Sequence, residues 1–185
     1  MNNVFDIEVD SGKWYLEKDP FVLIRKNSNS FNGAYESTLV RPSRPVKGER
    51  FGTATSLSSN TLAVGAPGNK GSSGRVYLFE KDETVGWMQT AVFSPPKGYF
   101  CKNMGYVVSI SNDGNTIACG CYKEDRIGSD VVVYSTFLKN PLVFILEDRE
   151  PYLAEKKTYS FDSVPLDLTF HIEYNNGFID DILLV

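Results

Sequence analysis

The apolar residues of this chain fall in short runs such as Leu62-Ala63-Val64-Gly65, Val76-Tyr77-Leu78-Phe79 and Val131-Val132-Val133-Tyr134, bounded by turn-forming Gly, Pro, Asn or Asp. Runs this short, rich in Val and aromatic residues, predict buried β-strands. Near the carboxyl end the pattern changes: Leu166, Leu168, Phe170, Ile172 and Tyr174 alternate with polar residues. Asn175-Asn176-Gly177 then leads into Phe178-Ile179 and Ile182-Leu183-Leu184-Val185. Alternation followed by Asn-Gly predicts a hairpin with one buried face, because Asn and Gly accept the positive φ of a tight turn. Phe5, Ile7 and Val9 alternate with Asp6, Glu8 and Asp10 in the same way, so both termini are expected to be ordered strands.

The runs recur. An offset of 55 places Asn60-Thr61-Leu62-Ala63-Val64-Gly65 on Asn115-Thr116-Ile117-Ala118-Cys119-Gly120, and Val76-Tyr77-Leu78-Phe79 on Val131-Val132-Val133-Tyr134. Upstream the offset is 53, with Phe51-Gly52 on Met104-Gly105; the two extra residues fall in the Asn112-Asp113-Gly114 turn, where a hairpin loop absorbs them. A partial earlier copy is visible: Phe21 to Lys26, then Tyr35 to Pro42, parallels Val76 to Lys81, then Met88 to Pro95. Self-similarity at a fixed period signals a repeated supersecondary unit. Each unit reads as four short strands: one after the Phe-Gly, one through Leu-Ala-Val-Gly, one through Val-Tyr-Leu-Phe, and one ending just before a proline.

Composition agrees. Two Trp, ten Tyr and twelve Phe among 185 residues favour pleated, half-buried surfaces, so the expected class is all-β with antiparallel sheets. A chain of this length buries roughly two-thirds of its unfolded surface and forms a core without staples. The 19 basic and 23 acidic residues are scattered, with no basic stripe for a phosphate backbone, so nucleic acid is not an expected partner. No apolar run reaches the ~20 residues that span a bilayer, and Met1 to Asp6 shows no secretory pattern. Three cysteines and the absence of an Asn-x-Ser/Thr acceptor add to the expectation of an intracellular, cytoplasmic location, or one within a virion.

Phe51-Gly52, Leu62-Ala63-Val64-Gly65-Ala66-Pro67, Gly74-Arg75-Val76-Tyr77-Leu78-Phe79 and Gly86-Trp87 together resemble an FG-GAP repeat, the blade unit of integrin-α-like β-propellers. The resemblance covers residues 51 to 93, then 104 to about 146 with Met104 in place of the phenylalanine and Cys121-Tyr122 in place of Ala-Pro, and more faintly 21 to 42. It implies blades of a propeller used for binding proteins or ligands. Three partial repeats are too few to close a ring, so the sheets are expected to be open, with edges covered by the chain's own terminal strands, another copy or a surrounding assembly. Within the motif, Gly52 and Gly105 are expected at close backbone approaches. Gly65 and Gly120 are expected where a side chain would collide or φ is unusual.

Candidate chemistry is sparse. The resemblance to calcium-binding members points to the Ser111 to Asn115 turn, yet Asp113 is its one carboxylate and Ca²⁺ takes six to eight oxygens, so Asp113 is read as turn chemistry. Cys101, Cys119 and Cys121 lack a fourth zinc ligand, His171 lying on a distant strand, and are read as small buried hydrophobes. No nucleophile elbow, Cys-His pair or phosphate loop accompanies His171, and nothing gathers Asp148, Glu150, Asp180 and Asp181 around a pocket, so no enzyme, cofactor or metal is expected. Loops on a rigid scaffold carry recognition. The loops at 66–74 and 121–129 are therefore the candidate contact surfaces, through Asn69, Lys70, Lys123, Glu124, Asp125 and Arg126.

The sequence thus predicts a strand arm at 1–20, blade repeats over 21–146 (21–50 in part, 51–103, 104–146), and a C-terminal β-hairpin extension at 147–185. The expected function is structural: a protein–protein interaction module completed by other protein subunits, homo- or hetero-oligomeric, with a minor capsid-associated component of a large virus particle as one setting. The alternative is a ligand- or carbohydrate-binding module stacking sugars on Trp14, Tyr15, Trp87 and Tyr99.

Overall fold

The structure, a computed structural model, describes residues 5–9, 22–26, 36–58, 60–68, 72–95, 97, 101–122, 129–135, 141–142, 156–163, 166–175 and 178–184. Among them there is no helix; the chain is all-β, in four antiparallel sheets. The first sheet joins β1 (Phe5–Val9), β2 (Val22–Lys26) and β3 (Glu36–Val40) in that order. The second runs β4 (Ala54–Ser58), β5 (Thr61–Ala66), β6 (Arg75–Asp82), β7 (Gly86–Phe93). The third runs β8 (Val108–Ile110), β9 (Thr116–Tyr122), β10 (Ser129–Ser135), β11 (Pro141–Leu142), and the fourth β12 (Lys156–Ser163), β13 (Leu166–Asn175), β14 (Phe178–Leu184). Both full repeats have four strands, but the fourth strand of the second copy, β11, is two residues long and begins at Pro141 instead of ending before a proline.

The sheets stack face to face, and the second is buried on both sides. Leu62, Val64, Ala66, Tyr77 and Phe79 pack with Ile24, Val40 and Phe51 toward the first sheet. Ala63, Val76 and Leu78 pack with Met104, Val108, Ile117 and Val132 toward the third. The pairing of Leu62 with Phe79 and of Val64 with Tyr77 aligns one face, and the alternation of side chains assigns the intervening residues to the other. This two-sided burial is why β5 and β6 read as unbroken apolar runs. Each fully buried Leu, Val or Phe contributes roughly 1.5–3 kcal/mol over leaving it exposed.

The far face of the third sheet is covered too. Ala118, Val131 and Val133 are buried there, and β14 packs over β8, β9 and β10, with Ile182 buried. Between the second and third sheets, first strand meets first strand, β4 against β8. The fourth sheet presents its last strand at the corresponding place. The C-terminal meander thus caps the stack rather than continuing the repeat. Its β13–β14 pair is the hairpin the alternation predicts, with Asn175 opposite Phe178 and a bulge at Glu173/Tyr174; β12 is an additional strand. β1, from the segment expected as an arm, pairs with β2 along its whole length.

Candidate interaction surface

The entry to each full repeat is one structure built twice. Arg50 (φ 58°) and Asn103 (φ 56°) occupy the left-handed region, and Gly52 (φ 89°) and Gly105 (φ 87°) follow in the same turn. Thr53 N donates to Arg50 O (3.3 Å), as Tyr106 N does to Asn103 O (3.2 Å). Gly52 N donates to Gly65 O (3.0 Å), as Gly105 N does to Gly120 O (3.2 Å). The glycine of the Phe-Gly pair is thus required by its positive φ, and at Gly105 by close approach as well, since a Cβ there would strike Arg75 O. Gly65 has ordinary backbone angles and is required by collision alone, because a Cβ would run into Gly105 O.

The aromatic of that pair fills the junction. Phe51 is buried edge-on against Tyr77 (centroids 5.3 Å) and Phe79 (6.1 Å). Met104 takes the equivalent place and receives the hydroxyl of Tyr134 on its sulfur at 3.2 Å. A flexible thioether substitutes here for a ring.

Asn69, Lys70, Lys123, Glu124, Asp125 and Arg126 lie outside the described residues. The stems of the first loop are described, and they are held from both sides. Gly68 N donates to Glu49 O (2.8 Å), while Asn103 N and Met104 N donate to Ser72 O (2.7 Å) and Ser73 O (3.0 Å). Asn103 Nδ2 adds a bond to Pro67 O at 2.9 Å. The connectors before the second and third sheets thus hold the stems of the β5–β6 loop.

Glu49 is a buried carboxylate, which a charge just before Phe51 does not announce in the sequence. Its Oε1 accepts from Tyr77 Oη (2.7 Å) and from Arg75 Nε (2.9 Å), while Oε2 is buried without a partner among the described residues. Burial, and then the bond to Glu49, push the Tyr77 hydroxyl up to about 12. A detectable signal was the repeat offset: Glu49 and Arg75 fall on Lys102 and Asp130, an opposed pair with its signs exchanged.

Asp113 organises its own turn. Oδ1 accepts from Ser111 Oγ (2.5 Å) and Asn115 N (2.9 Å), and Oδ2 from Asn115 Nδ2 (2.9 Å). These donors, the Ser111 hydroxyl first, hold its carboxyl below the usual range. The described residues contain no cluster of three or more metal-ligating side chains. The cysteines differ from expectation. All three are buried, but Cys101 and Cys121 are joined in a disulfide and only Cys119 is free. The pairing escaped the sequence because the partners lie on separate segments that only the fold brings together.

Among the outer strands, β7 stands apart. It is eight residues long and carries no charge, with Met88 (45 % exposed) and Val92 (41 %) open to solvent. By contrast β11 is two residues long and begins with proline, and β3 begins with Glu36. Trp87, one of the candidate stacking residues, is partly buried against the junction between the first and second sheets; Trp14, Tyr15 and Tyr99 lie outside the described residues.

Among the described residues the architecture is that of antiparallel sheets stacked without closing into a ring, as in an open propeller-like fragment. Residues 41–79 match the FG-GAP repeat family, from the connector after β3 through Phe51-Gly52, β4 and β5 into β6. The sheets on either side carry antiparallel strands of partial repeats. No curated protein and no solved structure matches the chain.

Proposed function

We propose that this chain is a non-catalytic protein-binding module that works inside a larger assembly. The observation that carries the reading is an open stack of antiparallel sheets, one of them bearing the FG-GAP match, whose outer strand β7 is long, uncharged and partly apolar. Edge strands are ordinarily blunted by charge, proline, shortness or a bulge, since their free backbone groups template another strand; β7 has a bulge at Thr90 in its pairing with β6 but no charge and no proline. A long edge without charge or proline favours pairing with an extended segment of another protein on either side of the bulge, with side-chain pockets adding selectivity. The β5–β6 loop, gripped at its base, supplies a second contact. The shell of a large virus particle is one setting that provides fixed neighbours, and we propose it on sequence grounds alone; detection of the chain in purified particles tests it.

The experiment for the module itself is cross-linking mass spectrometry on the tagged chain isolated gently from its native source. Cross-links from a second protein, or a second copy, to residues flanking β7 are the expected result. They should be lost in Val92→Lys, which places a charge on the strand without touching its buried neighbours. Retention of every cross-link in that variant counts against the edge, and absence of any partner counts against the reading.

A further inference from the structure

We propose that the Cys101–Cys121 disulfide is a redox-sensitive staple, fastening the entry of the third sheet as Glu49 fastens the entry of the second by polar contacts. By the repeat offsets Cys101 falls on Gly48 and Cys121 on Ala66. In the second sheet that junction is held by the Gly68 N to Glu49 O bond and by Tyr77 and Arg75 on Glu49 Oε1. In the third sheet Val132 stands where Tyr77 would be; the Tyr134 hydroxyl reaches Met104 from the position of Phe79 instead, and a covalent bond joins the segment before Met104 to the end of β9.

The neighbouring thiol does not compete. Cys119 lies in the same core cluster, fully buried, and donates to Val132 O at 3.3 Å. Burial pushes its thiol far above the usual range, and only a thiolate attacks a disulfide. Opening the bond therefore takes an external dithiol, whose two S–H groups are oxidised to a disulfide while Cys101 and Cys121 each gain an electron and a proton.

The closed loop spans 20 residues and contains the Met104-Gly105 turn, β8 and the Asp113 turn, the elements that dock on the second sheet. Reduction therefore loosens the junction between the second and third sheets and leaves that between the first and second intact. Because disulfides persist in oxidising settings and open in reducing ones, the stack is loose in a reducing cytosol and fastened outside it.

The test uses the full chain prepared without reductant. Denaturation with iodoacetamide should modify one cysteine, Cys119, and all three after dithiothreitol. Reduction should lower Tm by ~6–12 °C, from the loop-closure effect of a loop of this size. It should also raise amide exchange ~10-fold or more at residues 101–110 and 116–121, with little change at 61–66. The double variant Cys101→Gly, Cys121→Ala, carrying the residues of the preceding repeat, should show the reduced profile and ignore dithiothreitol. Should it fail to fold, the unmutated chain decides alone. Three modifiable thiols before reduction, exchange rising equally in both junctions or in neither, or a double variant still sensitive to dithiothreitol would each overturn the proposal.

Discussion

The carbonyl oxygen of Gly105 occupies the space that a Cβ on Gly65 would need. Each is the glycine of a repeat motif, and their meeting is how one repeat seats on the next: the entry turn of the third sheet crosses the second strand of the second. Gly65→Ala must displace backbone, and overpacking of this kind costs ~1–3 kcal/mol or more. Gly86 provides the contrast, since its φ is 83° but a Cβ would meet nothing within 4 Å. Gly86→Ala should cost only the ~1–2 kcal/mol of a left-handed alanine. Urea denaturation of the two variants separates collision from strain, and Gly65→Ala should be the less stable.

Phe51 ties the first sheet to the second through Tyr77, Phe79, Ile24 and Val40. Phe51→Ala should lose ~3–5 kcal/mol, the range for a buried ring replaced by a cavity. Phe51→Met, the residue standing at Met104, should recover a large part of that loss. Equal loss in the two variants would mean that the ring itself, rather than filled volume, holds the junction.

Alkaline stability follows from Tyr77. Its hydroxyl is pushed up to about 12 in the folded chain against 10.0 unfolded. Below pH 10 both states keep the proton and the contribution is intact. Between about 10 and 12 the unfolded state releases its proton first, so stability falls with rising pH across that window. Tyr77→Phe should flatten this part of the profile, read as Tm against pH, while losing the bond to Glu49.

Asp113 spends its oxygens on Ser111 and Asn115. Asp113→Ala should cost ~1 kcal/mol through these bonds. Calcium should leave the Tm of the unmutated chain where it was; a rise with calcium that vanishes in the variant would restore a metal role to this turn.

The two central repeats were legible in the sequence because burial on both faces writes β5, β6, β9 and β10 as continuous apolar runs between turn residues. β12 was not, since Tyr159 and Phe161 are the only large apolar residues in Lys156–Ser163 and leave little alternation to read. The Glu49 cluster was hidden because a single glutamate before Phe51 looks like any solvated charge until the fold brings Tyr77 and Arg75 onto it. Cys101 and Cys121 were hidden for the same reason, 20 residues apart and joined only when the entry segment folds back along β9. The repeat offset held a trace of both, in the exchanged Glu49/Arg75 and Lys102/Asp130 pairs and in cysteines standing on Gly48 and Ala66.

The most direct test of the central claim is the native mass of the chain, by light scattering over a dilution series after gentle isolation from its source. A protein-binding module predicts a mass well above the 20.7 kDa of one chain, with a second protein or further copies in the same peak. A single species of 20.7 kDa at every concentration would contradict it.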